Sequence, residues 1–159
     1  MTAASDRGAA LAERLREAAA NLVSVIEPID DERWRLVPES GVWSIGKDAE
    51  HVAEAAVYHQ WIVRLTIGQK VSSRRPALER LRMTSDLSPG EAAELIRQRA
   101  EDGARLILDL TDEQLDLPTR PPRANAQVLA LTIDRVLIGH YATHSAEIEA
   151  KLRAITAPR

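Results

Sequence analysis

Cysteine and phenylalanine are both missing from this 159-residue chain. Without cysteine there is no disulfide, no thiolate metal ligand and no cysteine nucleophile, and the redox compartment is left undecided. Three Trp and two Tyr are the only aromatic residues. The core must therefore be built from Ala, Leu, Ile and Val. A dominant charge of one sign is lacking too. Lys and Arg number 21 against 24 Asp and Glu, a formal net charge of −3, which offers no general attraction to nucleic acid or to an anionic membrane. No apolar run approaches the ~20 residues that span a bilayer. The opening stretch MTAASDRGAALAERLREAAA is charged throughout and lacks the apolar centre of a signal peptide. These absences predict one soluble domain over residues 1–159, placed by default in the cytoplasm, with neither nucleic acid nor membrane as its partner.

What is present is helical periodicity. Leu11, Leu15, Ala18, Leu22, Val25 and Ile29 recur at three and four residues and predict a first amphipathic helix, ended near Pro28 and the IDDERW stretch. Ser44 is the predicted cap of a second helix, IGKDAEHVAEAAVYHQWIVRLTI, which stops at Gly68 and carries an apolar stripe of Ile45, Ala49, Val52, Ala56, Val63 and Ile67. The next twenty residues, with SSRRP among them, show no clear period. A third helix opens with Ser88 as cap, Pro89 in its first turn and Glu91 completing a capping box, and its stripe is Leu95, Ile96, Leu106, Ile107 and Leu110. Three prolines in LPTRPPRAN forbid its continuation, and Asn125 is the predicted cap of a last helix that reaches about Ile155. No segment alternates as a strand does. The fold class expected is all-α, a four-helix bundle. The stretch from Gly68 to Ser88 is long enough to return along the bundle, which makes the second and third helices parallel and the order up-down-down-up.

The chain has four histidines. His140 and His144 share a helix face with Ile133, Val136, Leu137, Ile148 and Ile155, so both point toward the core. Four residues apart, their Cβ atoms lie about 5–6 Å from each other, a spacing from which two imidazoles reach one metal. Burying them without partners is costly. The same spacing also suits a hydrogen-bonded pair of core histidines or a pH-sensitive bundle, and spacing alone does not choose. A third ligand would come from His51 or His59. These are eight residues apart, about 12 Å along the axis, so one metal cannot take both. By periodicity His59 lies nearer the centre of the apolar stripe and His51 on its flank, a slight lean toward His59.

GVWSIGKDAEHVAEA resembles the signature of the DinB/YfiT-like superfamily, in which a Trp-Ser pair starts the second helix and a His follows the Trp by eight residues: here Trp43, Ser44 and His51. GHYATHSAEI resembles the same family's final-helix H-x3-H, carried by His140 and His144. The agreement in order and spacing runs over nearly the whole chain. It implies a metal site between the second and last helices with His51, His140 and His144 as ligands, which displaces the lean toward His59, and a divalent metal, zinc or nickel. One position departs. The family often has Gln three residues after the last His, where this chain has Glu147. A residue of the helix surface is the commoner explanation there, with an acceptor or acid/base group as alternatives.

Three nitrogen ligands leave a coordination position open, and a metal so held lowers the pKa of a water or thiol and polarises a carbonyl or epoxide oxygen. The resemblance implies first a low-molecular-weight-thiol-dependent S-transferase or isomerase using mycothiol or bacillithiol, with a metal-dependent hydrolase as the alternative. A non-catalytic, metal-binding, stress-related bundle is the rival from another class. His59 as a nearby helper and Tyr58 as a donor to an oxyanion are the catalytic candidates, with core packing the commoner role for both. Lys70, Arg74 and Arg75 could meet an anionic substrate or thiol, or form a solvated loop. Trp43 reads as a structural anchor. Trp61 and Leu65 lie opposite the main stripe of the second helix, which suggests a homodimer contact or, alternatively, a wall built by the adjoining loops.

Overall fold

Ser5 opens the first helix by accepting a hydrogen bond from the Gly8 N–H at 3.1 Å. From there the computed structural model, which describes residues 5–121 and 127–157, runs as α1 (Asp6–Ile26). Its Leu11, Leu15 and Leu22 are buried, as the spacing predicts, while Ala18 and Val25 of the expected stripe are only half-buried and Ile26 is buried beside them. A short α2 (Asp31–Arg35) follows, capped by Asp30, at the place where the sequence suggested only a helix end. The single turn exists to bury Trp34, whose indole N–H donates to the Leu87 carbonyl at 2.7 Å.

Ser44 caps α3 (Ile45–Thr66) by accepting from the Lys47 N–H, and Gly68 with φ +77° carries the chain out of it. The capping box of Ser88 and Glu91 starts α4 (Pro89–Leu108), again as predicted. A second capping box, Thr111 with Gln114, forms the single-turn α5 (Asp112–Leu115), which the sequence reading missed. The last long helix has three parts: α6 (Leu129–Thr132), a π-helical segment (Ile133–Ile138) and α7 (Gly139–Thr156). Asn125, its expected cap, lies outside the described residues, and Val128 precedes α6 without a side-chain cap. Among the described residues there is no strand, only an isolated bridge between Pro118 and Val128, and no helix is long and apolar enough to cross a membrane.

Side-chain pairs fix the direction of each long helix. Arg16 meets Glu101 and Glu27 meets Arg97, so α1 and α4 are antiparallel. Gln60 reaches the Arg99 carbonyl at 2.8 Å while Arg64 and Gln69 line a groove with Arg105 and Asp109, so α3 and α4 are parallel. Lys151 holds Asp48 at one end of α3 and Ile133 packs near Ile62 and Val63 at the other, so α3 and α7 are antiparallel. Arg14 pairs with Asp134 at 2.7 Å and Val25 shares a groove with Glu149, so α1 and α7 are parallel. The order is up-down-down-up, with the 69–88 segment as the long crossover.

Candidate metal centre

The site starts from two helix registers. On α3, Asp48, His51 and Ala55 follow one another at three and four residues. On the facing, antiparallel α7, Lys151, His144 and His140 descend at seven and four residues and so share one face. The Lys151 ammonium donates to the buried Asp48 carboxylate and, at 2.9 Å, to the Trp43 carbonyl, which locks the start of α3 against α7. With that register set, His51 falls opposite His140 and His144. The ring centroids are 5.1 Å apart for His51 and His140, 5.2 Å for His51 and His144, and 4.4 Å for His140 and His144. One nitrogen from each of the three lies within 4.8 Å of the other two.

These rings are poorly served by their surroundings. His51 Nδ1, His140 Nε2 and His144 Nδ1 are all buried without a hydrogen-bond partner. His144 Nδ1 comes within 3.0 Å of Glu147 Oε2, yet the approach lacks the alignment of a hydrogen bond. Burial, helped by the nearby His144, Arg80 and Lys47 charges, pulls His51 down to about 4. Burial and the neighbouring His144, His59, His51 and Arg80 pull His140 down to about 3. Both are therefore neutral near pH 7, with lone pairs available to a metal. Asp48 is pushed up by its burial, against the opposing pull of Lys151. Asp48, His144 and Glu147 also form a closely spaced trio, but Asp48 is already committed to Lys151.

His59 and Tyr58 sit beside the cluster rather than in it. The His59 ring is 5.2 Å from that of His140 and lines an apolar depression with Ile62, Val63 and Val136. Tyr58 stacks on Trp61 at 17°, and the Arg75 guanidinium lies over the Tyr58 ring, 5.4 Å from its centre. Trp61 is half-buried and its indole N–H donates to the Ser72 carbonyl at 3.0 Å, so the crossover segment walls it. Lys70, Arg74 and Arg75 are exposed on that segment. Trp43 packs its ring 5.1 Å from His51.

Three features escaped sequence reasoning. Lys47 is wholly buried yet charged, gripped by Glu50 at 2.7 Å and by Glu79 of the crossover at 2.9 Å. Burial alone would lower it, but the two carboxylates prevail and raise it. The Lys47/Glu50/Glu54 spacing on one helix face was the available signal. Arg80 belongs to a segment with no periodicity and gave no signal at all. The π-helical segment ends at Ile138, two residues before His140. Such segments insert an extra residue into a helical turn and are common at functional sites.

The sequence profile of the DinB superfamily matches residues 14–148. Among curated proteins, none matches the chain at a significant level. In structure the chain is similar to YfiT from Bacillus subtilis, described as "a probable metal-dependent hydrolase with an unusual four-helix bundle topology", with a TM-score of 0.76 and 17% identity over 97% of this chain and 91% of that one. At that identity the likeness is one of fold.

Proposed function

The chain belongs to the DinB superfamily, and from that premise we propose that it is a metal-dependent enzyme: a divalent ion, zinc or nickel, held by His51, His140 and His144, and a small-molecule substrate that is hydrolysed. One observation carries the reading. One nitrogen from each of three imidazoles on two helices lies within 4.8 Å of the other two, and each ring carries a buried nitrogen without a hydrogen-bond partner; a shared cation is the group that such converging imidazoles can serve together. The description of YfiT as a probable metal-dependent hydrolase supports hydrolysis.

When bound, such an ion supplies Lewis acidity and lowers the pKa of a coordinated nucleophile. The chain's own residues do the rest. Asp48 and Lys151 hold the two helices in register, and Glu147 restricts the His144 ring from its Nδ1 side. Trp43 packs against the His51 ring on one side, and the apolar depression lined by His59, Ile62 and Val63 lies on another. His59, in ring contact with His140, is the group placed to take up or return a proton, and Tyr58 beside it is the candidate donor to an oxyanion.

The thiol-dependent S-transferase or isomerase implied by the resemblance would use the same three ligands, with mycothiol or bacillithiol in place of water. The test separates these readings. Zinc- or nickel-loaded protein is incubated with ester, amide and epoxide substrates, with and without each thiol. Metal-dependent product without thiol supports the hydrolase, and product only with thiol supports the transferase. No turnover under any condition leaves a metal-binding bundle.

A further inference from the structure

Beside the three-histidine cluster lies a second set of metal-ligating groups, and the two share one member. Asp48, His144 and Glu147 each offer a ligand atom, and these atoms lie within 4.8 Å of one another. Donors bound at about 2.0–2.2 Å to one ion are about 3–4 Å apart, so the trio stands close to a coordinating arrangement. His144 can serve both sets because an imidazole has two ring nitrogens. Its Nδ1 is buried without a hydrogen bond and lies 3.0 Å from Glu147 Oε2. A cation is already seated at this second set. The Lys151 ammonium donates to the buried Asp48 carboxylate and, at 2.9 Å, to the Trp43 carbonyl. Lys151 stands four residues beyond Glu147 and seven beyond His144 on α7, so all three share one face of the helix. Asp48 and Glu147 bring two negative charges and Lys151 returns one. That balance suits a divalent ion better than a single ammonium.

We infer that Asp48, His144 and Glu147 form a second divalent-metal site beside the three-histidine site, and that the Lys151 ammonium is the resident cation that keeps metal out of it. The inference meets the proposed function only at the shared His144. Two carboxylates and an imidazole are a donor set for zinc. The ammonium is tethered to the same helix as two of the three ligands, so its effective concentration at Asp48 far exceeds that of free metal. A divalent ion has to displace it to gain the buried carboxylate. Lys151 thereby holds the centre to one ion per chain instead of a two-metal clamp. Taking the ammonium away leaves Asp48 buried without a counter-charge, which is costly, and a second ion relieves that cost.

The test measures zinc stoichiometry and thermal unfolding of the full-length protein at rising zinc concentration. Lys151→Met keeps the apolar stem and drops the charge, while Lys151→Arg keeps the charge. Wild type and Lys151→Arg should hold one ion per chain, and Lys151→Met should hold two. The melting temperature of Lys151→Met should go on rising with zinc beyond the first equivalent, where that of wild type is flat. The second equivalent should disappear when Glu147→Ala or Asp48→Asn is added to Lys151→Met. Adding His51→Ala instead should weaken the first equivalent and spare the second. If Lys151→Met does not fold, Lys151→Gln, which removes the charge and keeps a donor for Asp48, is read in its place. Zinc binding and melting unchanged by loss of the Lys151 charge overturn the inference. So does a second ion that survives both Glu147→Ala and Asp48→Asn. If wild type takes up no zinc and Lys151→Met takes up one through Asp48 and Glu147, the three-histidine reading fails and this inference stands.

Discussion

An imidazole withdrawn from water holds its proton less firmly, and His51 and His140 show how far that goes: about 4 and about 3, against about 6.5 in an unfolded chain. Between those values the unfolded state binds more protons than the folded one, so stability is fully present above pH about 6.5 and is lost as pH falls toward 4 and 3. Metal-free protein should therefore melt at progressively lower temperature from pH 7 to pH 5. A His51→Leu/His140→Leu double variant should show a flatter profile in the same thermal scans. At the neighbouring carboxylate, the His144 contact at 3.0 Å predicts a graded response. Glu147→Gln keeps an oxygen acceptor and should hold metal affinity near wild type, whereas Glu147→Ala should weaken it about tenfold, both read by competition with a chromophoric chelator. Equal affinity for all three proteins would make Glu147 plain helix surface.

At the scale of the element, the caps were legible because they are local. Ser44, Ser88 and Glu91 bond to N–H groups three residues away, so a short stretch of sequence contains the whole interaction. The choice between His51 and His59 was not local. A helical wheel gives the direction of a side chain around the axis, and by burial the two are nearly equal, 6% and 8% exposed. What separates them is height along α3, which the Asp48–Lys151 contact to another helix sets. The family resemblance supplied that information where periodicity could not. The π-helical segment and the pinned crossover were illegible for the same reason, since both depend on what packs against them. Gly46 tests one such packing. A Cβ there would come within 2.7 Å of Trp34 Nε1 and 2.8 Å of Cε2, and that ring is fully buried and tied to Leu87. Gly46→Ala should destabilise the protein by about 1–3 kcal/mol, although alanine is the better helix former by about 1 kcal/mol. Gly90→Ala, where a Cβ meets nothing within 4 Å, should be neutral or slightly stabilising in the same denaturant titration. The crossover is tied down by Glu79, which the Lys47 ammonium holds at about 2. Glu79→Ala should speed tryptic cleavage between residues 70 and 82 while the helical circular dichroism is kept.

Across the whole molecule, the long 69–88 connection makes α3 and α4 parallel, and this brings α3 beside the last helix in antiparallel register. Bundle class and helix order were legible because an apolar stripe and a twenty-residue gap leave few ways to close a core. The convergence of the histidines needs the assembled bundle, since His51 is almost ninety residues from His140 in sequence and meets it only through the packing of α3 on α7. Metal content is the property that belongs to that assembly and to no single helix. The decisive measurement is metal stoichiometry with X-ray absorption on wild type and on His51→Ala, His140→Ala, His144→Ala, their triple combination and His59→Ala, each checked for helical content. The account predicts about one divalent ion per chain bound through imidazole nitrogens, lost in the triple variant, strongly reduced in each single ligand variant and kept in His59→Ala. A triple variant that stays folded and retains the same stoichiometric metal would contradict it.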